Sequence, residues 1–234
     1  MFRSKTLQIA IDGPVAAGKG TVARLVAERL GITYIDTGAM YRAAALLAKR
    51  ANVTWDDETG VADLVDKGEF VLRQPQGEEK DGRLITVMVN SEDVSWKIRT
   101  EEMSQGSSAV ARLALVRQAL VKKQQAIARQ QSVIMEGRDI TFRVLPKADL
   151  KIYLTASPEE RAKRRHKELL MRGEDVTYEA ILADLKKRDA QDMERQVDPL
   201  QIVKGAWVLD TTGMSIEGVV GAIEKRLLTF DKAT

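Results

Sequence analysis

The chain has 234 residues, 44% of them apolar and 30% charged, so it is long and apolar enough to form a packed core. Lys and Arg number 37 and Asp and Glu number 34, a formal net charge of +3. This small excess does not indicate a nucleic-acid-binding protein, and an aromatic content of 5% leaves few platforms for stacking bases. Cysteine is absent and His166 is the only histidine, which excludes disulfide frameworks and Cys/His zinc sites.

The amino-terminal segment MFRSKTLQIAID predicts a first strand and not a signal peptide. Its apolar run is short, and no small-residue cleavage pattern follows it. No apolar stretch of the sequence approaches the length of a membrane span. We therefore expect a cytoplasmic protein without a membrane partner.

Short apolar segments alternate with amphipathic segments along most of the chain. The predicted buried strands are Leu7–Ile11, Ile32–Asp36, Val133–Met135, Leu150–Leu154 and Ala206–Asp210. The predicted helices are Lys19–Leu30, Thr37–Arg50, Ser108–Arg129, Pro158–Met171, Tyr178–Met193 and Ile216–Leu228. This alternation predicts an α/β fold with a five-stranded parallel sheet flanked by helices.

One region interrupts the alternation. FVLRQ, LITVMVN and VSWKIRT have β-like composition, and the turn-rich PQGEEKDGR and SED separate them. With the helix that precedes them, they predict an inserted α+β module with a small antiparallel sheet.

The segment DGPVAAGKGT predicts a phosphate-binding loop. Such a loop points backbone N–H groups at one anion, which requires glycines and benefits from a following helix N-terminus. A glycine-rich turn that contains a lysine by chance is the alternative, but a strand and an amphipathic helix flank this one correctly. We expect Lys19 to lie between the β- and γ-phosphates of ATP. The predicted ATP-binding residues of the loop are Gly13, Pro14, Val15, Ala16, Ala17, Gly18, Lys19, Gly20 and Thr21.

Several arginines stand at the ends of predicted elements, where parallel sheets place their ligands. Arg42 follows DTGAMY and Arg138 lies in MEGRD. Arg188 and Arg195 flank Asp192 near the end of a helix. An enzyme that passes a phosphoryl group to a second phosphate must offset the repulsion of two anions, and arginine pairs bidentately with phosphate. Each Arg–Asp pair alone is more typical of a solvated helix face, but the combination favours a second phosphate site.

The motifs IDGPVAAGKGT, DTGAMYR, SWKIRT, EGRD and KKRDAQDMER occur in the order and approximate separations of bacterial cytidylate kinases, and the chain resembles that family over nearly its whole length. The resemblance implies a P-loop nucleoside monophosphate kinase that transfers the γ-phosphoryl group of ATP to CMP or dCMP. It implies a core (1–42, 104–158 and 177–234), an inserted NMP-binding module (43–103) and a short helical lid (159–176). We expect a monomer whose partners are these small molecules, with no nucleic acid.

The position of Gly20, where many phosphate-binding loops have Ser or Thr, also resembles nucleoside monophosphate kinases. The resemblance implies a Mg²⁺ cofactor held mainly by phosphates and water, without direct protein ligands. No covalent intermediate is needed, because an ionised phosphate oxygen of CMP is already a competent nucleophile. Catalysis is then alignment and charge neutralisation, for which the resemblance implies Lys19, Arg138 and Arg195. His166, alone on a charged helix, is not expected to act as a base.

The resemblance also implies which residues hold the acceptor. The phosphate clamp is Arg42, Arg138 and Arg195. Thr37 is a further acceptor contact, and Arg188 and Asp192 contact the sugar. The residues that contact the cytosine base are Ser108, Arg117 and Asp139. The carboxylate of Asp139 can accept from the cytosine amino group, and Arg117 can donate to a ring acceptor. Uracil would present a carbonyl to the same carboxylate, so we expect discrimination against it.

The segment EERAKRRHKELLMRG is dense in basic residues. Its glutamates are numerous enough for an ordinary solvated helix, which is the alternative. The resemblance favours a lid in which Arg161, Arg164 or Arg165 closes over ATP and excludes water.

The sequence departs from the resembled family at two places. After GRD, the usual Gly-Thr-Val-Val is Thr141-Phe142-Arg143-Val144, and Glu136 stands where Asp is common. Phe142 and Arg143 predict an altered loop beside the acceptor. Two other functions remain open, a kinase for UMP or AMP and a nucleotide-binding regulator without turnover.

Overall fold

A computed structural model gives the fold and describes residues 6–171 and 173–231. Three parts of the chain lie outside the described residues: 1–5 of the predicted first segment, 172 of the predicted lid and 232–234 of the predicted core. The strands β1–β8 are Gln8–Asp12, Thr33–Asp36, Phe70–Arg73, Thr86–Val89, Glu92–Asp93, Val133–Gly137, Leu150–Thr155 and Trp207–Asp210. The helices α1–α8 are Lys19–Leu30, Thr37–Arg50, Glu58–Lys67, Glu101–Val110, Ala114–Gln130, Pro158–Met171, Tyr178–Glu194 and Ile216–Asp231.

The central sheet has five parallel strands in the order β2-β6-β1-β7-β8, which confirms the predicted fold class. Its middle strand β1 is buried on both faces, as Ile9, Ala10 and Ile11 show. The chain leaves β1 toward one edge of the sheet and leaves β7 toward the other edge. The carboxyl ends of β1 and β7 therefore border the switch point, where folds of this kind bind their ligands.

A second sheet of three antiparallel strands, in the order β3-β4-β5, lies between α3 and α4 in the chain. The predicted small antiparallel sheet is confirmed, but the placement of its third strand in VSWKIRT is wrong. β5 is only Glu92–Asp93, and Lys97–Arg99 form a 3₁₀ turn. The side chain of Ser95 causes the early end, because its hydroxyl oxygen accepts from Val87 N at 2.9 Å, close to where strand pairing stops. The limits of the 43–103 module remain a prediction.

The predicted helix Ser108–Arg129 is in fact two helices, α4 and α5, with a break over 111–113. Tight turns replace the α-helical bonds there: Arg112 N donates to Ala109 O and Leu113 N donates to Val110 O, both at 3.2 Å. The break leaves the carbonyl of Ala111 able to accept from the side chain of Arg117 at 3.0 Å. Periodicity cannot reveal such a break, because apolar residues continue through it.

The start of α6 follows the predicted capping pattern. Ser157 accepts from Glu160 N at 3.1 Å, and Pro158 opens the helix. Of the helices that the described ranges contain, none combines the length and the apolar character needed to cross a membrane.

Candidate functional site

The loop between β1 and α1 has the backbone that a phosphate cradle requires. Gly13 has φ 156° and Gly18 has φ 85°, both in the region that favours glycine. A Cβ on Gly13 would lie 2.0 Å from the carbonyl oxygen of Leu154 in β7. Lys19 is buried, and its ammonium donates to Gly13 O at 2.9 Å and to Pro14 O at 2.8 Å. The loop therefore encloses a lysine whose two hydrogen bonds go to backbone carbonyls and not to a carboxylate.

Burial lowers the pKa of Lys19 to about 7, and the neighbouring Arg138 acts in the same direction. The charged form of Lys19 is therefore disfavoured in the unliganded protein. An anion in the cradle would supply the countercharge.

Asp12 ends β1 and fixes the segment that follows β6. Its carboxylate accepts from Ile140 N at 2.8 Å, Thr141 N at 2.8 Å and Thr141 Oγ1 at 2.6 Å. Burial raises the pKa of Asp12. These bonds hold the π-turn Ile140–Val144 at the end of β1, where the phosphate loop begins. Asp139 immediately precedes this turn and is positioned with it. Asp12 was missed from sequence, because its partner Ile140 is 128 residues away in the chain.

A cleft of about 700 Å³ opens between the phosphate loop, the start of α2, the end of β6, α4 and α7. Most of the predicted site residues line it. They are Val15, Ala16, Ala17, Gly18, Lys19, Gly20, Thr21, Thr37, Arg42, Ser108, Arg117, Arg138, Asp139, Arg188, Asp192 and Arg195. Gly13 and Pro14 bind the Lys19 ammonium through their carbonyls. Residues spread over most of the sequence therefore converge on one space.

Two of the predicted clamp arginines are held by carboxylates. Arg138 Nε donates to Asp192 Oδ2 at 2.5 Å, and Arg42 Nη2 donates to Asp36 Oδ2 at 3.0 Å. Asp36 also accepts from Arg99 Nη2 at 3.1 Å. Burial acts to raise the pKa of Asp36, but Arg42 and Arg99 outweigh it and lower the pKa. Both guanidinium groups are therefore oriented before any ligand arrives. Asp36 and Arg99 were missed from sequence.

Arg117 is almost fully enclosed, with 2% of its surface exposed. Nη2 donates to the carboxylate of Asp139, Nη1 to Ala111 O at 3.0 Å, and Nε to Asp198 Oδ2 at 3.0 Å. Its guanidinium lies 5.7 Å from the ring centre of Tyr41, in cation–π range. The two residues expected to read the base are thus paired with each other and aligned by further contacts.

Tyr41 was missed from sequence and also lines the cleft. Its hydroxyl is buried, and no partner for it exists among the described residues. Burial raises its pKa, so the hydroxyl stays protonated near neutral pH. Buried hydroxyl groups normally have a hydrogen-bond partner. A ligand in the cleft is in position to provide one for Tyr41.

The remaining acceptor residues contact nearby backbone and hydroxyl groups. Arg195 Nε donates to Asp198 O at 2.8 Å, and Arg188 Nη2 donates to Ser104 Oγ at 2.6 Å. Ser108 is exposed at the edge of the cleft, and its hydroxyl donates to Ser104 O at 3.3 Å. Arg188 and Ser108 therefore share Ser104 as a neighbour, which puts the predicted sugar and base contacts side by side.

Glu136 faces the phosphate loop from β6. Its Oε1 accepts from the Tyr34 hydroxyl at 3.1 Å, and its backbone oxygen accepts from Thr37 Oγ1 at 2.8 Å. Burial raises the pKa of Glu136, and Asp36 adds to the shift. No group of three His, Cys, Asp or Glu side chains converges to hold a metal anywhere in 6–171 or 173–231. The carboxylate of Glu136 beside Gly20 is compatible with a divalent metal ion that would take most of its ligands from phosphate and water.

Arg161, one of the predicted lid arginines, is buried under the phosphate loop. Nη2 pairs with Asp189 Oδ2 at 2.6 Å, and Nη1 donates to Val15 O at 3.0 Å. Arg161 thus supports the loop backbone from below.

The other two lid arginines lie farther along α6. Arg164 Nη2 donates to Thr211 O at 2.7 Å, and Arg165 Nη1 pairs with Glu168 at 2.9 Å. Neither they nor Arg161 belong to the cleft lining given above. Their contact with ATP remains a prediction that requires movement of α6.

The chain was compared with known proteins. The family model for cytidylate kinase matches residues 9–228. The cytidylate kinase of Bacillus subtilis (strain 168) is 46% identical over 219 residues, which cover 94% of this chain and 95% of that protein. The cytidylate kinase of Caldanaerobacter subterraneus subsp. tengcongensis is 47% identical over 215 residues, 92% of each chain. A solved structure of an uncharacterized protein from Eubacterium ventriosum has a TM-score of 0.51 at 13% identity, covers 96% of this chain and 99% of its own, and supports the fold alone. With this match over nearly its full length, the chain belongs to the cytidylate kinase family.

Proposed function

We propose that this protein transfers the γ-phosphoryl group of ATP to CMP or dCMP, giving ADP and CDP or dCDP. One observation carries the proposal: the phosphate loop with Lys19 opens into the same cleft as Arg42, Arg138 and Arg195. Two phosphate chains can approach each other only where separate cations offset their repulsion. A protein that merely senses one nucleotide has no need of the second set of cations.

The proposed mechanism is direct in-line transfer. A phosphate oxygen of CMP, already ionised near neutral pH, attacks the γ-phosphorus while the bond to the ADP oxygen breaks. Lys19 binds the ATP phosphates, and Arg138 and Arg195 neutralise the charge that spreads over the transferred group. The carboxylate of Asp192 supports this role, because it fixes the Arg138 guanidinium at 2.5 Å before the substrates bind.

The proposed acceptor site extends along the cleft. Arg42 and Thr37 contact the acceptor phosphate, and Arg188 and Asp192 contact the sugar. Ser108, Arg117 and Asp139 contact cytosine. The pairing of Arg117 with Asp139 supports this assignment, because it presents a donor and an acceptor together on one wall of the cleft.

Magnesium, when bound with ATP, would neutralise part of the phosphate charge. Glu136, whose carboxylate lies beside Gly20, would hold water on that ion through a hydrogen bond. Arg161, Arg164 and Arg165 remain proposed ATP contacts of a lid over 159–176, which would close after ATP binds. Monomeric action is part of the proposal, because residues of this one chain supply both the phosphate loop and the second set of cations.

The test is an ADP-release assay with ATP and MgCl₂ against CMP, dCMP, UMP and AMP. We expect CMP and dCMP to be the best acceptors, with Lys19→Met as the inactive control. Highest turnover with UMP or AMP would replace the cytosine assignment. Tight RNA binding without ADP release in the presence of CMP would favour a regulator instead.

A further inference from the structure

Asp198, in the loop that follows α7, is contacted by three arginines. Its carboxylate accepts from Arg117 Nε at 3.0 Å and from Arg143 Nε at 2.9 Å, one on each oxygen. Its backbone carbonyl accepts from Arg195 Nε at 2.8 Å and also from Arg195 Nη2. One residue thus holds a proposed base contact through its side chain and a proposed phosphate clamp through its backbone.

The backbone of Asp198 is unusual for a residue with a side chain. Its φ is 47°, in the left-handed region that Asp and Asn tolerate better than other non-glycine residues. Its side chain is 13% exposed. This conformation brings the carbonyl to Arg195 while the carboxylate reaches Arg117, so both contacts depend on the same strained position.

The contact with Arg117 Nε determines how the guanidinium group points. With Nε bound by Asp198, the two Nη nitrogens are directed to Ala111 O and to the carboxylate of Asp139. Without that bond, the guanidinium could turn and pair bidentately with Asp139, which is the preferred geometry for arginine and a carboxylate. The acceptor oxygens of Asp139 would then be occupied by arginine when cytosine arrives.

Arg143 completes the arrangement and explains the altered loop. Its backbone N donates to Asp139 O at 2.8 Å, while its side chain, 52% exposed, reaches Asp198. It therefore joins the turn that carries Asp139 to the loop that carries Asp198. The four ion-paired residues of the cluster are Arg117, Arg143, Asp139 and Asp198, whose formal charges cancel, while Arg195 at the Asp198 carbonyl adds one positive charge. The side chain of Arg143 thus supplies a second cation to the Asp198 carboxylate.

We propose that Asp198, held by Arg143, is a positioning residue that sets base selectivity by orienting Arg117 toward Asp139 and the acceptor base. The proposal rests on the proposed function, because it assigns base reading to Arg117 and Asp139. The proposal predicts that loss of the Asp198 carboxylate impairs binding of the acceptor nucleotide and not binding of ATP. ATP meets the phosphate loop, which none of the four cluster residues contacts in the bonds described above.

The experiment compares Asp198→Asn, Arg143→Gln and the double variant with the wild-type enzyme. Asn keeps the tolerance for a left-handed backbone but removes the charge and one acceptor oxygen. We expect Asp198→Asn to raise KM for CMP about tenfold and to reduce the preference for CMP over UMP by a similar factor, with KM for ATP within about twofold of wild type. Arg143→Gln should show a smaller effect of the same kind, about threefold, because its side chain is half exposed.

The double variant tests whether the two side chains act together. Its effect should be smaller than the product of the single effects, because both substitutions disrupt the same contact. Asp56→Asn serves as the matched control, since that side chain is exposed, lines neither the cleft nor the cavity beside Arg117 and Asp198, and should leave all constants unchanged. Circular dichroism and thermal unfolding check that each variant folds.

Three outcomes contradict parts of the account, and they can be told apart. Wild-type enzyme that does not use CMP rejects the proposed function and this inference together. Active wild type with an unchanged KM and base preference in Asp198→Asn rejects the inference alone. An equal rise in KM for ATP and CMP also rejects it, because a general loss of structure would do that. If Asp198→Asn does not fold, Arg143→Gln decides, and unchanged base preference there overturns the inference.

Discussion

Gly20 lies directly against the carboxylate of Glu136. A Cβ on Gly20 would approach Glu136 Oε1 to 3.1 Å and the Tyr34 hydroxyl oxygen to 3.1 Å, closer than most real Cβ contacts. The space in which other phosphate-binding loops have a Ser or Thr side chain is thus bordered by a carboxylate and a phenol. This tight space favours glycine after Lys19. It also puts a carboxylate oxygen from β6 where the loop itself has no side-chain oxygen.

Glu136→Gln should raise the magnesium concentration needed for half-maximal activity by about tenfold, because a neutral amide orients metal-bound water less strongly than a carboxylate does. The measurement is initial rate against free Mg²⁺ at saturating ATP and CMP, with calorimetric binding of Mg·ADP as a second readout. Glu136→Asp keeps the charge and is the control. Identical magnesium dependence in wild type and Glu136→Gln would remove Glu136 from this role.

Asp139→Ala should reduce the preference for CMP far more than it reduces affinity for ATP. Cytosine loses the acceptor for its amino group, so CMP and UMP become less distinguishable by at least about tenfold. Asp139→Asn, which has nearly the same volume, separates the loss of charge from the loss of packing. Steady-state constants for CMP, UMP and ATP give the answer. Equal losses for ATP and CMP would show that Asp139 does not lie in the base pocket.

ATP binding at pH 8 should be accompanied by proton uptake. Burial lowers the pKa of Lys19 to about 7, so in the unliganded enzyme the amine is mostly neutral at pH 8. Phosphates raise that pKa, and binding should therefore take up roughly one proton, an uptake that fades below about pH 6 where the amine is already charged. Calorimetry in buffers of different ionisation enthalpy measures it. Lys19→Met should abolish the uptake, and wild type without uptake would contradict the prediction.

The lowered pKa of Lys19 also affects how the stability of the unliganded protein depends on pH. Between about pH 7 and the ordinary lysine pKa, the unfolded chain binds a proton at Lys19 that the folded chain does not. This group therefore makes stability rise with pH across that window. Saturating ATP should abolish this rise, because the phosphates keep the amine charged in the folded state, so the folded and unfolded chains then carry the same proton. Denaturant unfolding at pH 7 and pH 9, with and without ATP, checks both statements against Lys19→Met.

Features that short sequence patterns encode could be predicted. The phosphate loop from Gly13 to Gly18 and the five parallel strands depend on local composition and periodicity, and the structure has these segments close to the predicted bounds. The edge strand β8 was predicted to be buried, but Leu209 is its only buried residue. The break at 111–113 could not be predicted, because the contact with Ala111 O that accompanies its tight turns comes from the side chain of Arg117, outside the break.

The residues missed at the site share a different cause. Asp12 acts on Ile140, 128 residues away, and Asp198 acts on Arg117, 81 residues away. A lone aspartate carries no signal of such a partner. Tyr41 stands inside the quoted motif DTGAMYR, but its role follows from a buried hydroxyl without a partner, which only coordinates reveal. Sequence therefore predicted the groups that line the cleft better than the groups that orient them.

Gly13→Ala and Gly18→Ala should differ sharply in stability, although both glycines belong to the phosphate loop. At Gly13 a methyl group would lie 2.0 Å from the backbone oxygen of Leu154, which cannot move without shifting β7. We expect a loss of at least about 3 kcal/mol in the free energy of unfolding. At Gly18, with φ 85° and no atom within 4 Å of the added carbon, only backbone strain remains, about 1–2 kcal/mol. Urea unfolding of both variants measures the difference. Equal losses would mean that β7 yields to the methyl group, and that close packing against Leu154 does not require the first glycine of the loop.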